Sequence, residues 1–296
     1  MPTAQPGIFA LGTRSHLYLE LDLRPGTDPA MLLDSVGGLR EPRSTTGGAN
    51  LVTGFAPAVW DRCAPGQLPE GARAFELVTG AGGYQMPATQ HDAWLWIAGG
   101  STDVLFDLGR AAVVALAPAA TLATEQSAFT YRDSRDLTGF EDGTENPPLD
   151  EAAEVAVVGD GRPGAGCSVV LVQRWVHDLG AFHALRLEDQ EAVFGRTKAD
   201  SVELDDAVKP ASAHISRVVI EEDGAELEIF RRSTSYGTTA EHGLVFVGFS
   251  AEPLRLAHML ERMAGVGDGV RDRLTEFSRP VSGAYYVVPP VEALRG

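Results

Sequence analysis

The chain has 296 residues, about twice the length of a typical domain, so the first expectation is two domains or one large one. Hydrophobic residues make up 44% of it and charged residues 22%, which excludes a disordered or collagen-like chain. The formal net charge is -17, and a surface this acidic repels nucleic-acid phosphates and anionic lipid headgroups. We therefore expect no nucleic acid and no membrane among the partners, although a local basic pocket stays open.

The cysteines and the N-terminal segment indicate the compartment. Cys63 and Cys167 are too few for a disulfide framework or a four-thiolate metal site. Residues 1–12 contain no basic stretch followed by an apolar run, so no secretory signal is predicted. The longest apolar stretch, residues 111–123, is too short to span a bilayer and contains Pro118. The sequence therefore predicts a soluble cytoplasmic protein.

The first half of the chain alternates strands with helices. Alternating or continuous apolar runs predict strands at residues 16–23, 51–56 and 93–98. Asp28 marks the start of a helix after the first strand, and Gly37 marks its end. A second amphipathic helix, capped by Ser101 or Thr102, follows the third strand.

The same order of elements returns in the second half. Residues 244–249 are predicted as an apolar strand, Ser250 as a cap, and the following apolar stripe as a helix that ends at Gly265. Strand, cap and helix in matching order predict a duplicated α+β unit with antiparallel sheets. Residues 146–166, rich in Gly, Pro and acidic side chains, are predicted to connect the two halves.

An acidic loop at residues 139–148 has the sequence GFEDGTENPP. It contains two glycines and three carboxylates, and Pro147 and Pro148 stiffen its exit. The ligand spacing of a helix–loop–helix calcium site is absent. Composition alone does not distinguish between an acidic surface loop and a functional loop.

Among the seven histidines, His214 has the most unusual position. It stands at the start of the apolar segment HISRVVI, predicted as a strand, where a single imidazole could meet a buried cofactor. A hydrogen-bonded core histidine is the alternative, and His177 and His183 are predicted to be structural hydrogen-bonders. The chain has no HExxH motif and no Cys/His cluster, so a zinc site with local ligand spacing is not expected.

The segment ELEIFRRS is predicted as a strand that carries two adjacent arginines. Period-two alternation puts Arg231 on the aliphatic, inward face and Arg232 on the outward face, which carries two glutamates. A buried arginine is unfavourable unless it meets an anion or a polar ligand. Arg231 is therefore a candidate binding residue, with an internal salt bridge as the alternative.

At these residues the chain resembles the dye-decolourising peroxidase family, specifically its short bacterial B/P-type haem enzymes. The similarity runs from QPGI near the N-terminus to FSRPVSGAYYVVP near the C-terminus. It rests on four motifs in this order: GFEDGTENP, EDQEAVFGRTKADSVEL, KPASAHISR and IFRRSTSYG. Their joint occurrence is far more specific than any one of them.

The resemblance implies the roles of the central residues. Asp142, in the GxxDG signature, would be the distal acid–base residue, and Arg231 the distal arginine. His214 would be the proximal ligand of the haem iron. Ser233 stands where relatives carry a small polar distal residue.

Further residues are implied around the cofactor. Arg196, in GRTK, resembles the arginine that pairs with a haem propionate. An acidic partner is expected for the ligand histidine; we predict Glu276, with Glu226 as the weaker choice because it lies on the outward face. The chain departs from the family pattern at Ser235, which replaces a common proline, and at Ser216, which replaces a common arginine.

The resemblance also implies fold and function. The expected fold is a pair of ferredoxin-like domains, residues 1–145 and 146–296, with haem b held mainly by the second. The implied activity is reduction of hydrogen peroxide and oxidation of small organic one-electron donors, dyes and phenolics, through a ferryl intermediate, in a homo-oligomer. Two alternative functions remain: a haem-handling or haem-storage protein with incidental peroxidase activity, and a cofactor-free binding module. The acidic exterior suits cationic or neutral donors better than anionic dyes.

Overall fold

The computed structural model of the protein describes residues 2–39, 48–222 and 225–294. Its strands are β1 (Ser15–Leu23), β2 (Ala49–Phe55), β3 (Val78–Thr79), β4 (Gln85–Met86), β5 (Ala93–Gly99), β6 (Ala120–Phe129), β7 (Ser168–His177), β8 (Glu221–Glu222), β9 (Ala225–Glu226), β10 (Phe230–Arg231), β11 (Thr234–Gly237), β12 (His242–Ser250), β13 (Ser278–Pro280) and β14 (Ala284–Val288). Its α-helices are α1 (Pro29–Gly37), α2 (Pro57–Cys63), α3 (Thr102–Leu116), α4 (Ala152–Ala156), α5 (Leu179–His183), α6 (Leu187–Phe194), α7 (His214–Val218) and α8 (Pro253–Ala264). Among the described residues, no helix is both long and apolar enough to cross a bilayer.

The strands and helices predicted from periodicity in both halves are confirmed, within about two residues of their predicted ends. Local capping explains where they begin and end. The Asp28 carboxylate accepts the N–H of Ala30 at 3.0 Å, which fixes the start of α1. The helix α8 ends at Gly265, whose φ of 71° is the left-handed conformation that glycine adopts without strain.

Two predicted strands are wrong. The segment that begins at His214 forms the short helix α7, in which Ile215 and Val218, three residues apart, both line one cavity. The segment ELEIFRRS is not one continuous strand: Glu226 ends β9, only Phe230 and Arg231 form β10, and β11 begins at Thr234. Short apolar runs fit either period, so tertiary contacts decide the outcome.

The main sheet closes on itself. Over the described residues its order is β10-β12-β11-β6-β1-β5-β2-β14-β7-β13, and β12 also pairs with β7, from Gly243↔Val176 to Ser250↔Val169. All pairings are antiparallel, and the result is a closed antiparallel barrel. The predicted α+β content with antiparallel sheets is confirmed, but the strands form one closed barrel and not the simple layout of two ferredoxin-like domains.

Each half of the chain contributes four strands to the ring, in the orders β6-β1-β5-β2 and β11-β12-β7-β14. The halves join through the pairs Ser235↔Phe129 and Val287↔Phe55. Joining them removes the open sheet edges that two separate sheets would expose to other chains. The proposed boundary between residues 145 and 146 stays a prediction.

Alternation along the strands separates the inside of the barrel from its outside. Val170 and Val172 of β7 belong to the aromatic-rich cluster inside the barrel, together with Trp94, Trp96 and Tyr286. The alternate residues, Val169 and Leu171, face outward and pack against α8. The outer face of the C-terminal half is thus covered by helices, and the cavity described below lies in that layer.

Arg232 is buried, contrary to the expectation that it points to solvent. Its side chain donates hydrogen bonds to the carbonyls of Ile8 at 2.5 Å and Ala10 at 2.6 Å. Its guanidinium also lies 4.9 Å from the ring centroid of Trp96, a cation–π contact. Alternation predicted the wrong environment for Arg232 because the N-terminal segment covers that side of the strand.

We expect Arg232→Ala to destabilise the fold by about 3 kcal/mol, because it leaves two carbonyls without their charged donor. Chemical denaturation followed by circular dichroism measures the change. The exposed Arg110 provides the matched control, since Arg110→Ala should change the free energy of unfolding by less than about 0.5 kcal/mol. Equal effects of the two substitutions would contradict the anchoring role of Arg232.

Candidate active site

A cavity of about 1070 Å³ lies outside the barrel, between the outward faces of β7 and β12 and the helices α7 and α8. Part of this empty space is open to solvent, and its walls come from several separate elements, as in clefts that bind small molecules. Much of the wall is apolar, with Phe194, Ile215, Phe246, Met259 and Met263 among the lining residues. Polar side chains enter at a few points, and these define the chemistry of the site.

His214 lines this cavity from the first turn of α7. Its Nδ1 lies 2.7 Å from Oδ2 of Asp272, a carboxylate that is fully buried, whereas the His214 side chain is 24% exposed. Because Nδ1 donates to the carboxylate, the lone pair of the neutral imidazole resides on Nε2. His214 thus presents one ligand nitrogen, oriented by a buried acid.

Asp272, and not Glu276, is the acidic partner of His214. Asp272 caps the 3-10 helix Arg273–Glu276, where its Oδ1 accepts the N–H of Leu274 at 2.9 Å and leaves Oδ2 for the imidazole. Glu276, at the end of that helix, is exposed, and Glu226 is exposed as well. An aspartate just before a short helix is a recognisable capping signal, which could have identified Asp272.

Asp142 and Arg231 line the same cavity as His214. The loop that carries Asp142 also holds the backbone of Arg231, because the Asn146 side chain accepts the N–H of Arg231 at 2.8 Å and donates to its carbonyl at 2.9 Å. These two hydrogen bonds fix the loop relative to β10. Asn146 was not predicted from sequence, although it lies in the acidic loop.

The Asp142 carboxyl is half-buried at the cavity wall. Burial raises its pKa above the ordinary value of 3.8, while the nearby positive charge of Arg231 acts in the opposite direction. A carboxyl with a raised pKa is suited to exchange protons with a bound molecule. Asp142 is therefore placed, and electrostatically prepared, for acid–base work.

Arg231 contributes a positive charge with spare hydrogen-bonding capacity. Its Nη2 is buried and has no hydrogen-bond partner. A buried guanidinium N–H without an acceptor is unfavourable, so the group is suited to receive an anionic or strongly polar ligand. The alternative to a binding role was an internal salt bridge. Among the residues that the structure describes, Arg231 forms no ion pair.

Arg196 lies at the cavity wall in a cluster of opposite charges. Its guanidinium forms an ion pair with Glu145, lies 3.9 Å from Glu203, and donates to the carbonyl of Ser201 at 2.7 Å. Burial lowers the pKa of Arg196, and the Glu203 charge opposes that effect. A second anion at this arginine would share the guanidinium with Glu145.

Ser233 belongs to a different space from His214. It lines a second cavity of about 1230 Å³, which also borders Asp142, Gly143 and Arg231. Asp142 and Arg231 thus separate the two cavities and face both of them. The Ser233 hydroxyl is buried and has no hydrogen-bond partner.

Sequence reasoning missed a second imidazole–carboxylate pair in the cavity wall. His177 lies with Nε2 3.0 Å from Oδ1 of Asp136, and Ser278 pairs with its Nδ1 at 2.8 Å. Burial alone would raise the pKa of Asp136. The charge of His177 and hydrogen bonds from His177 and Thr138 instead hold this pKa at about 2. Both ring nitrogens of His177 are engaged, as expected for a structural hydrogen-bonder.

Gln173 is another residue that sequence reasoning missed. It lies in β7, lines the cavity that contains His214, and is 0% exposed. Neither its amide nitrogen nor its amide oxygen has a hydrogen-bond partner. Such a group is rare in a folded protein unless a ligand or ordered water satisfies it.

Comparisons with known proteins agree with this geometry. A family model described as "Dyp-type peroxidase, C-terminal" matches residues 133–293. A dye-decolorizing peroxidase from Mycolicibacterium paratuberculosis is 36% identical over 99% of this chain and 86% of its own length.

Solved structures extend the similarity to the whole fold. A DypB variant from Rhodococcus jostii RHA1, solved in complex with heme, has a TM-score of 0.92 and 35% identity, covering 100% of this chain and 98% of that one. The encapsulated DyP-type peroxidase from Mycobacterium smegmatis has a TM-score of 0.92 and 34% identity, over 100% and 98% of the two chains. On this similarity along its full length, the chain belongs to the dye-decolorizing, or Dyp-type, peroxidase family of haem enzymes.

Proposed function

We propose that this haem peroxidase reduces hydrogen peroxide with electrons from small organic donors, using haem b bound in the cavity beside His214. The observation that carries the proposal is the His214–Asp272 pair, an imidazole that a buried carboxylate orients through one ring nitrogen, in the wall of a mostly apolar cavity. Peroxidases of other folds hold haem iron by one histidine in the same way. Haem-handling without turnover is not favoured, because the relatives are peroxidases.

The residues present fit a haem. Among the described residues, no group of three or more His, Cys, Asp or Glu side chains could hold a metal ion without other ligands. A porphyrin brings its own four nitrogen ligands, so one protein nitrogen suffices. The unpaired polar atoms of Gln173 and Arg231 and the apolar residues around them are the surroundings that an amphipathic, anionic macrocycle requires.

His214 would hold the iron through Nε2, and Arg196 would pair with a propionate. Haem, when bound, supplies the electron-transfer chemistry of peroxide reduction. Nδ1–H of His214 donates a buried hydrogen bond to the Asp272 carboxylate, which gives the imidazole partial imidazolate character and fixes the ring. Because the second oxygen of Asp272 bonds to the Leu274 N–H, the carboxylate cannot rotate away without losing a helix cap.

Asp142 would move the proton during cleavage of the peroxide. Its carboxylate would take a proton from one oxygen of hydrogen peroxide and return it to the other oxygen, which would leave as water. Arg231 stabilises the negative charge that develops on the departing oxygen, and its guanidinium stays charged throughout. Ser233 would supply a further hydrogen-bonding hydroxyl on the side of the second cavity.

A homo-oligomer and a cytoplasmic location remain parts of the proposal. An exposed apolar patch supports self-association: Phe106 and Val114 of α3 are 64% and 68% exposed, and Leu122 and Phe129 of β6 are 38% exposed. The four residues line one shallow groove. Apolar side chains grouped in this way are typical of protein–protein contact surfaces.

Substitution of the proposed iron ligand tests the cofactor assignment. We expect purified His214→Ala to lose the Soret absorption of bound haem, or to show a shifted band, because the other histidine in the cavity wall, His177, has both ring nitrogens engaged. The exposed His183 provides the control, and His183→Ala should keep the wild-type spectrum. An unchanged Soret band in His214→Ala would rule out the ligand assignment.

Substitution of Asp142 tests the proton-transfer role. We expect Asp142→Asn to slow the reaction with hydrogen peroxide by about 10²–10⁴-fold, measured by stopped-flow absorbance. The wild-type rate should fall in acid as Asp142 becomes protonated, at a pH above the ordinary aspartate range because burial raises its pKa. The Asn variant should lack this acid limb.

The exposed carboxylate of Asp150, which lines neither cavity, provides the matched control for Asp142. Asp150→Asn makes the same substitution and should keep both the rate within about threefold and the acid limb. A wild-type rate in Asp142→Asn, with its pH profile intact, would assign the proton transfer to another group.

A further inference from the structure

The second cavity is a strongly basic place in an acidic protein. It is lined by five arginines and two aspartates: Arg14, Arg132, Arg135, Arg231, Arg232, Asp133 and Asp142. The whole chain has a formal net charge of -17. A concave surface with an excess of one sign of charge concentrates ligands of the opposite sign. The cavity therefore attracts small anions that the rest of the surface repels.

One wall of this cavity carries three unsatisfied hydrogen-bond donors. Nη2 of Arg231 and the hydroxyls of Ser233 and Ser235 are all buried, and none has a partner. The three residues alternate along the chain, as residues on one face of an extended segment do. Ser235 is only 2% exposed, so bulk water cannot satisfy its hydroxyl.

The five arginines divide into structural and available groups. Arg232 donates to the carbonyls of Ile8 and Ala10, and Arg135 donates to those of Gly139 and Lys198. These two are committed to the fold.

The other two rim arginines, Arg14 and Arg132, are exposed. Arg132 lies over the ring of Tyr131 at 5.1 Å, in a loop whose Ser134 carbonyl accepts the N–H of Asp142 at 3.1 Å. The loop therefore connects the charged rim of the cavity directly to the proposed proton-transfer residue.

We propose that this cavity binds the carboxylate of an aromatic one-electron donor, with Ser235 as a hydrogen-bond donor and Arg14 and Arg132 as the charges that attract it. The inference deepens the proposed function and rests on it, since it assigns the class of reductant. A carboxylate has two oxygens and four lone-pair sites, which matches a wall of unsatisfied donors. The preference for cationic or neutral donors expected from net charge concerns the whole surface, whereas this cavity carries a local excess of positive charge.

The cavity places such a donor next to the reacting groups. Asp142, Gly143 and Arg231 border both this cavity and the one that contains His214. With a phenolic carboxylate the balance is simple: two donors each lose one electron and the phenolic proton, and one hydrogen peroxide becomes two waters. The carboxylate is unchanged and serves only to bind.

Calorimetric binding to the haem-loaded enzyme without peroxide tests the proposal, with 4-hydroxybenzoate and its neutral isostere 4-hydroxybenzamide as probes. We expect the benzoate to bind at least about tenfold more tightly than the amide. Its affinity should fall as ionic strength rises, and that of the amide should not. The Soret band should be unchanged on binding, because the ligand does not reach the iron.

Variants locate the site. The double variant Arg14→Gln with Arg132→Gln should weaken benzoate binding by about tenfold or more, and Ser235→Ala by about fivefold. The double variant Arg62→Gln with Arg186→Gln, which removes the same two charges at exposed arginines outside the lining of this cavity, should leave the affinity unchanged. If Ser235→Ala does not fold, the double variant of Arg14 and Arg132 still tests the proposal.

Several results would overturn the proposal. Equal affinity for the two probes, a benzoate affinity unaffected by the arginine pair, or a Soret shift on binding would each do so. Displacement of the benzoate by equimolar inorganic phosphate would indicate a general oxyanion site and overturn the assignment to an organic reductant. Since binding is measured without peroxide, failure here leaves the His214 and Asp142 tests of the proposed function unaffected.

Discussion

The pairing of β7 with β12 is the constraint on which the rest of the molecule depends. It closes the barrel, and by strand alternation it gives each of these strands one face for the barrel interior and one for the cavity. Val245 and Val247 point into the aromatic core, whereas the alternate residues Leu244 and Phe246 line the candidate haem site. A one-residue slip in this register would exchange core and cavity residues completely.

Short loops then add the polar chemistry to this rigid wall. Asp272 accepts the backbone N–H of Leu274 with one oxygen and orients the His214 imidazole with the other. Asn146 holds the backbone of Arg231 with both atoms of its amide, and so fixes the strand position from which the Arg231 side chain extends. Rigid support of this kind limits the reorganisation that a charged transition state requires.

Much of this was predictable from local sequence. The strands and capped helices followed from periodicity, and the residues Asp142, Arg231 and His214 were singled out from motifs and do line one cavity. The barrel was not predictable, because its closure depends on pairs such as Ser235↔Phe129, which are distant in sequence and carry no local signal. The partner of His214 was misassigned because the capping position of Asp272, which turns one of its oxygens toward the imidazole, was overlooked in favour of Glu276. The burial of Arg232 was missed because it depends on where the N-terminal segment packs.

That packing of the N-terminus connects the start of the chain to catalysis. Arg231 and Arg232 are consecutive: the first borders both cavities, and the second is held by the carbonyls of Ile8 and Ala10. None of residues 2–10 lines either cavity, yet the carbonyls of Ile8 and Ala10 hold the residue next to Arg231 in the chain. If Arg231 has its proposed role, changes at Ile8 to Ala10 should alter peroxide reactivity without a change in any residue that touches the substrate.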